Sequence, residues 1–204
     1  MSNKLQISVS CPVYDSFRVQ QVAGLFDVAL EEKATTSFEL ELPELEDTWR
    51  IGLIVGPSGS GKSTVARKLF GDCYYEPPRW DTEKAVVDGF PEGTSIKEVT
   101  GLLTAVGFGS PPSWIKPHHV LSGGERFRCD LARALAELNQ KATTDAERAS
   151  QETVVFDEFT SVVDRTVAKV ASAAVAKAIR GDKVCGKLVA VTCHYDIAEW
   201  LEPD

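Results

Sequence analysis

The apolar run Trp49-Arg-Ile-Gly-Leu-Ile-Val55 is followed at once by Gly56-Pro-Ser-Gly-Ser-Gly-Lys62-Ser63, and then by the helix-favouring stretch Ser63-Thr-Val-Ala-Arg-Lys-Leu-Phe70. Strand, glycine loop and helix in that order leave few folds open. A short run apolar on both faces reads as a strand buried in a sheet, and the loop fits G-x-x-x-x-G-K-[ST]. Each residue type has a physical reason. Glycines let successive backbone N–H groups turn inward around an anion, and the helix that opens at Lys62 adds the positive end of its dipole. Lys62 supplies a mobile cation for β- and γ-phosphates, and the Ser63 hydroxyl suits Mg²⁺. Gly56, Ser58, Gly59, Ser60, Gly61, Lys62, Ser63 and Thr64 are therefore the candidate phosphate cradle.

The rest of the chain supplies strands and helices in alternation. The first fifty residues read as strands, with Phe17, Val19, Val22 and Leu25 loosely alternating and Phe38-Glu-Leu-Glu-Leu42 strictly so. Residues 71–95 are punctuated by prolines and glycines, with Ala85-Val-Val87 as a short strand. Ser95 and Glu98 are spaced as a capping box, which predicts a helix over 95–106. Residues 107–119 carry three prolines and read as loop. Helices are expected over 124–136 and 164–179, and apolar strands over 153–156 and 188–193, while 139–152 lacks an apolar face. Apolar strands alternating with helices mean an α/β fold with a mainly parallel sheet covered by helices.

Composition excludes several alternatives. With 22 basic and 30 acidic residues the formal charge is −8, so nucleic acid is a possible partner that the charge does not indicate. Five cysteines, an odd number, contain no C-x-x-C, which speaks against a disulfide framework or a zinc site and for reduced thiols in the cytoplasm. The N-terminus lacks the apolar core of a signal peptide, and no stretch approaches the roughly 18 apolar residues of a membrane span.

A second half-site follows. Thr153-Val-Val-Phe-Asp157-Glu158 is an apolar strand ending in two carboxylates. Asp157 is placed to hold Mg²⁺ beside the glycine loop, and Glu158 to polarise an attacking water. Leu121-Ser122-Gly123-Gly124-Glu125 resembles the LSGGQ signature of ABC-type ATPases, with Glu125 in place of Gln, and the following Arg126-Phe-Arg-Cys-Asp-Leu-Ala-Arg-Ala-Leu135 resembles that family's signature helix.

The resemblance runs from about residue 18 to 198. It implies ATP and Mg²⁺ as ligands and an ATP-dependent homodimer in which Ser122, Gly123, Gly124 and Glu125 face the nucleotide of a second copy. Ser161-Val-Val-Asp164 resembles the D-loop that crosses this interface. His194, directly after the strand 188–193, stands where the family's switch histidine contacts the γ-phosphate. Val22-Ala-Gly-Leu-Phe26 resembles the strand that carries an adenine-stacking aromatic, so Phe26 either stacks on the base or belongs to the core. The resemblance has departures. No Q-loop glutamine is evident, and Asp88 in Val86-Val-Asp88-Gly-Phe-Pro91 is the candidate to meet Mg²⁺ or its water instead. Phe159 replaces the usual proline, and 60 positions separate Lys62 from Ser122, which leaves room for a small helical subdomain alone.

The expected architecture is a P-loop ABC-type ATPase domain over 1–204, with an N-terminal antiparallel β subdomain over about 1–50, a reduced helical subdomain over about 89–138 and the P-loop core as the remainder. The family's terminal strands are not evident after His194, so a truncated chain or a further domain after Asp204 is expected, as in the compact branch joined to a predicted acetyltransferase domain. The expected output is a soluble regulatory or nucleic-acid-associated process. The alternatives are a transporter subunit acting through a membrane partner, a small-molecule kinase on a P-loop scaffold, and a scaffold that binds ATP without turnover.

Overall fold

The computed structural model describes residues 3–30, 33–42, 48–142 and 152–204. The chain divides into two units, residues 1–46 and 47–204. In the first unit, strand β1 (Asn3–Pro12) pairs antiparallel with β2 (Lys33–Leu42), in a register that sets Leu5 opposite Leu40 and Ile7 opposite Phe38. Between them lies helix α1 (Phe17–Phe26), where strands were expected. The apolar residues there fit both periods. The Ser16 hydroxyl, which accepts from the Val19 N–H at 3.3 Å, caps the helical alternative.

The second unit is built on three parallel strands, β3 (Ile51–Val55), β4 (Thr153–Phe156) and β5 (Lys187–Thr192), in the order β3-β5-β4. Every residue of the central β5 is buried, which explains its unbroken apolar run. Because the strands are parallel, their C-terminal ends meet at one edge. The residues that follow Val55, Phe156 and Thr192 therefore emerge side by side.

Helix α2 (Lys62–Phe70) follows the glycine loop, and α3 (Ile96–Ala105) begins at the expected capping box of Ser95 and Glu98. The segment expected as loop contains the short helix α4 (Pro111–Trp114), because proline at the first helical positions needs no N–H partner. Ala85-Val-Val87 is not a strand. Ala85 makes one isolated bridge to Pro117, and Val86–Gly89 turns as a 3₁₀ segment. Helix α5 runs from Gly123 to Ala142, so residues 139–142, expected outside it, are helical, and 143–151 lie outside the described residues. Helices α6 (Arg165–Arg180) and α7 (Ile197–Leu201) complete the unit. Phe127, Leu131, Leu135 and Leu138 of α5 and Ala168, Ala171, Val175 and Ile179 of α6 are buried with Leu188 in one core. The alanines of α6 allow neighbours to approach closely.

Gly186 leads into β5 at φ +90°, and a Cβ there would stand 2.7 Å from the Glu152 carbonyl oxygen and 2.8 Å from Leu138 Cδ1. A Gly186→Ala substitution is expected to cost about 2–4 kcal/mol, from left-handed backbone strain plus overpacking, read as a lowered midpoint in chemical denaturation. An unchanged midpoint would show that the β4–β5 packing yields at this point.

Candidate functional site

Three strand ends define the site. After β3, the chain curls through Gly59 (φ +76°) and Gly61 (φ +86°). Gly61 occupies the N-cap of α2, and no side chain caps that helix, so its first N–H groups are left facing the loop. A Cβ on Gly56 would stand 3.1 Å from the Ser60 hydroxyl oxygen, which accounts for glycine there. The Lys62 Nζ donates to the Pro57 carbonyl at 2.7 Å, so the ammonium lies folded across the loop. Ser58 and Ser60 are exposed on the loop, and Ser63 and Thr64 follow half-buried in the first turn of α2.

After β4, the Asp157 Oδ1 accepts the Glu158 N–H at 2.8 Å. Its Oδ2 accepts a short hydrogen bond from the Tyr74 hydroxyl. Tyr74 reaches Asp157 because the chain after α2 runs beside β4. Tyr74 bridges in parallel to Val155, and the Tyr75 N–H donates to the Val155 carbonyl at 2.8 Å. The nearby Ser63 hydroxyl acts on the phenol in the opposite sense, favouring its ionisation. Burial, reinforced by the bond to Asp157, pushes the Tyr74 phenol up to about 12, so it remains a proton donor at neutral pH. The Arg67 guanidinium lies over its ring, 4.1 Å from the centroid. Beside them opens a cavity of about 220 Å³ between Arg67, Tyr74, Glu76 and Asp157.

Asp157 is thus bound by Tyr74 at the same sheet edge from which Ser63 follows the glycine loop. Ser63 and Asp157 both offer hard oxygen donors, and among the described residues no group of three or more His, Cys, Asp or Glu converges to hold a metal ion. That donor set fits Mg²⁺, which keeps several waters and binds through one or two protein ligands plus phosphate oxygens.

Glu158 stands in the left-handed region at φ +52°, as does Thr160 at φ +65°. Phe159 between them is fully buried and packs edge-on to Phe127 and Phe156, and its N–H donates to the Val191 carbonyl at 2.8 Å. This anchor fixes the turn that carries Glu158. After β5, the His194 N–H donates to the Thr192 hydroxyl oxygen at 3.2 Å. Asp196, two residues on, pairs with Arg165 of α6, whose side-chain bond holds the Asp196 carboxyl below its usual range.

The turn at Ser122 is a capping box. Its hydroxyl accepts the Glu125 N–H at 3.3 Å and donates to Glu125 Oε2 at 2.8 Å, while the Ser122 N–H donates to the same oxygen at 2.9 Å. The Ser113 hydroxyl donates to the other carboxylate oxygen at 2.9 Å. The N–H and hydroxyl of Ser122 hold the Glu125 carboxyl below the usual carboxylate range. Gly124 packs on Val167 and Val163, and Gly123 lies against the Val162 carbonyl. Asp164 is the N-cap of α6 and accepts from the Thr166 and Val167 N–H groups at 2.9 and 3.0 Å.

Two further expected site residues lie on other elements. Phe26 ends α1 in the other unit, 68% exposed, on a helix rather than a strand. Asp88 is exposed on the 3₁₀ turn 86–89, which packs against α3 and α4, and no hydrogen bond or ion pair joins it to Ser63 or Asp157 among the described residues. Tyr74 was not anticipated. Its one signal is the aromatic pair Tyr74-Tyr75 after α2, too short to show a strand period.

The fold is that of ABC-type ATP-binding cassettes, as the likeness to solved structures shows. No protein-family model and no curated protein matches the sequence. Among solved structures, the chain is similar to the dimeric structure of MJ0796, a bacterial ABC transporter cassette, with TM-score 0.54 and 17% identity over 79% of this chain and 81% of that one. It is also similar to that cassette's dimeric post-hydrolysis state bound to ADP and Pi, with TM-score 0.58 and 16% identity over 84% and 86%. A bacterial Atm1-family ABC exporter with ATP bound gives TM-score 0.51 and 19% identity over 79% of this chain and 31% of that one.

Proposed function

We propose that this chain binds and hydrolyses ATP as a cassette module, two copies of which close head to tail around two nucleotides. The observation that carries this reading is that the glycine loop with Lys62 and Ser63 and the pair Asp157 and Glu158 leave the same C-terminal edge of one parallel sheet, with Tyr74, which follows α2, bonded to Asp157. The dimeric cassette, its ADP-and-Pi state and the ATP-bound exporter support it by likeness of fold.

In this reading the N–H groups of the loop and the Lys62 ammonium grip the β- and γ-phosphates, while Ser63 and Asp157 hold Mg²⁺. The cation supplies charge neutralisation for the transferring phosphoryl group. Glu158 orients a water and takes up its proton, and His194 donates to the γ-phosphate. The hydroxyl of Ser122 and the N–H groups of Gly123 and Gly124 meet the γ-phosphate of the other copy, with Asp164 at the contact. Nucleotide affinity and dimerisation are then reciprocally linked, and loss of the γ-phosphate parts the copies. Residues 89–138 serve as the small helical subdomain.

The output we favour is a soluble cytoplasmic process. The helical layer contains α3, the four-residue α4 and the first part of α5, which offers little of the surface a membrane subunit needs. No helix among the described residues is long and apolar enough to cross a membrane. A transporter subunit is the second reading, favoured by the transporter cassettes among the similar structures, and co-purification with a membrane protein decides for it.

The test is the solution molar mass of the Glu158→Gln protein. It is expected to double from 22.2 kDa on addition of Mg-ATP. A Ser122→Arg change in that background is expected to leave nucleotide binding intact and to abolish the doubling. A monomer at saturating Mg-ATP overturns the sandwich.

A further inference from the structure

The Asp157 carboxylate has one oxygen engaged by the backbone, since Oδ1 accepts the Glu158 N–H at 2.8 Å. Oδ2 accepts the hydrogen bond of the Tyr74 hydroxyl. Ser63, the other side chain suited to Mg²⁺, stands in the first turn of α2, the helix that the Tyr74 segment follows. We propose that Tyr74 is a latch on the cation site, holding Asp157 through its hydroxyl and releasing it when a divalent cation is held there. The inference rests on the nucleotide-site reading above and adds a regulating residue to it.

Position and adjoining space both fit. The backbone at 74–75 is laddered to Val155, and the Arg67 guanidinium covers the ring, so the phenol is delivered to Asp157 rather than arriving by chance rotation. Release needs space for the ring to swing, and the 220 Å³ cavity lined by Arg67, Tyr74, Glu76 and Pro77 provides it. The ion pair at its rim, Arg67 to Glu76 at 3.9 Å, joins two exposed side chains and resists little. The phenol takes one lone pair of Oδ2 and draws off part of its charge, so a cation drawn to that oxygen competes with a strong, charge-assisted hydrogen bond. The latch therefore lowers cation affinity until a nucleotide's phosphates supply further ligands.

The test compares wild type with Tyr74→Phe, which keeps the ring under Arg67 and removes the hydroxyl. Mn²⁺ binding is titrated by electron paramagnetic resonance in the presence of a non-hydrolysable ATP analogue, and analogue binding is measured separately in EDTA. Expected is a Mn²⁺ affinity about tenfold higher in Tyr74→Phe, the size of one hydrogen bond to a charged group, with analogue affinity in EDTA unchanged. In wild type, Mn²⁺ should also perturb the tyrosine ultraviolet difference spectrum, and this signal should vanish in the variant. Equal or weaker Mn²⁺ binding by Tyr74→Phe overturns the latch and makes the phenol an orienting partner of Asp157. Should the variant fail to fold, a wild-type spectrum that does not respond to Mn²⁺ overturns it equally. If wild type binds no analogue in either condition, the nucleotide-site reading falls and the latch falls with it.

Discussion

Glu158→Gln is expected to slow ATP turnover by about 10²–10⁴-fold while leaving nucleotide binding intact, because general-base assistance of this kind contributes that much. The substitution keeps shape and hydrogen-bonding reach and removes the basic oxygen alone. It also keeps the backbone in place. The turn is held by the Phe159 N–H on Val191 and by the Glu158 N–H on Asp157, neither of which involves the Glu158 side chain. Single-turnover phosphate release at saturating Mg-ATP measures the effect. A rate within a few-fold of wild type would remove Glu158 from the role of base and leave the water to be oriented by other groups, His194 first among them.

Lys62→Ala is expected to weaken nucleotide binding by about 100-fold, the upper range for a hydrogen bond to a charged group. The ammonium bridges to the Pro57 carbonyl at 2.7 Å and is the basic group of the loop itself, so its loss leaves the backbone N–H groups and the helix dipole as the remaining attraction for phosphate. The fold should tolerate the change, since Lys62 starts α2 with its ammonium outside the core. Equilibrium titration with a fluorescent ATP analogue measures the loss. Unchanged affinity would mean that the glycine turn is a βα connection without a phosphate ligand.

The sequence was most legible where burial leaves one choice. β4 was read at its observed bounds, and β5 and α2 within a residue, because an apolar run bounded by glycine or carboxylate admits a single reading. The capping box fixed the start of α3 for the same reason. Legibility failed where periods overlap or local chemistry competes. Val19, Val22 and Phe26 suit a helix face as well as a loose strand, and the deciding signal was the Ser16 cap. The prolines at 111 and 112 open a helix instead of breaking one.

In the candidate site, the loop and the Asp157–Glu158 pair were visible as motifs. Asp88 was chosen as a substitute for a missing glutamine from order along the chain alone, and it stands exposed on a 3₁₀ turn that contacts α3 and α4. Tyr74 was invisible because its role depends on lying next to β4, a neighbour 81 positions away at Val155. Glu125 could be seen as a departure from a signature, but not that its carboxylate binds the Ser122 hydroxyl proton.

The left-handed backbone at Glu158 and Thr160 has an evolutionary corollary. Thr160 is β-branched, fully buried and without a partner for its hydroxyl, so this turn is held at a cost of about 1–3 kcal/mol per residue. Glycine at either position relieves that cost, and at 158 it removes the carboxylate as well. If Glu158 is the base proposed above, selecting variants of this chain for heat resistance alone would enrich molecules that have lost it, and a screen for sturdier forms has to score turnover alongside melting temperature.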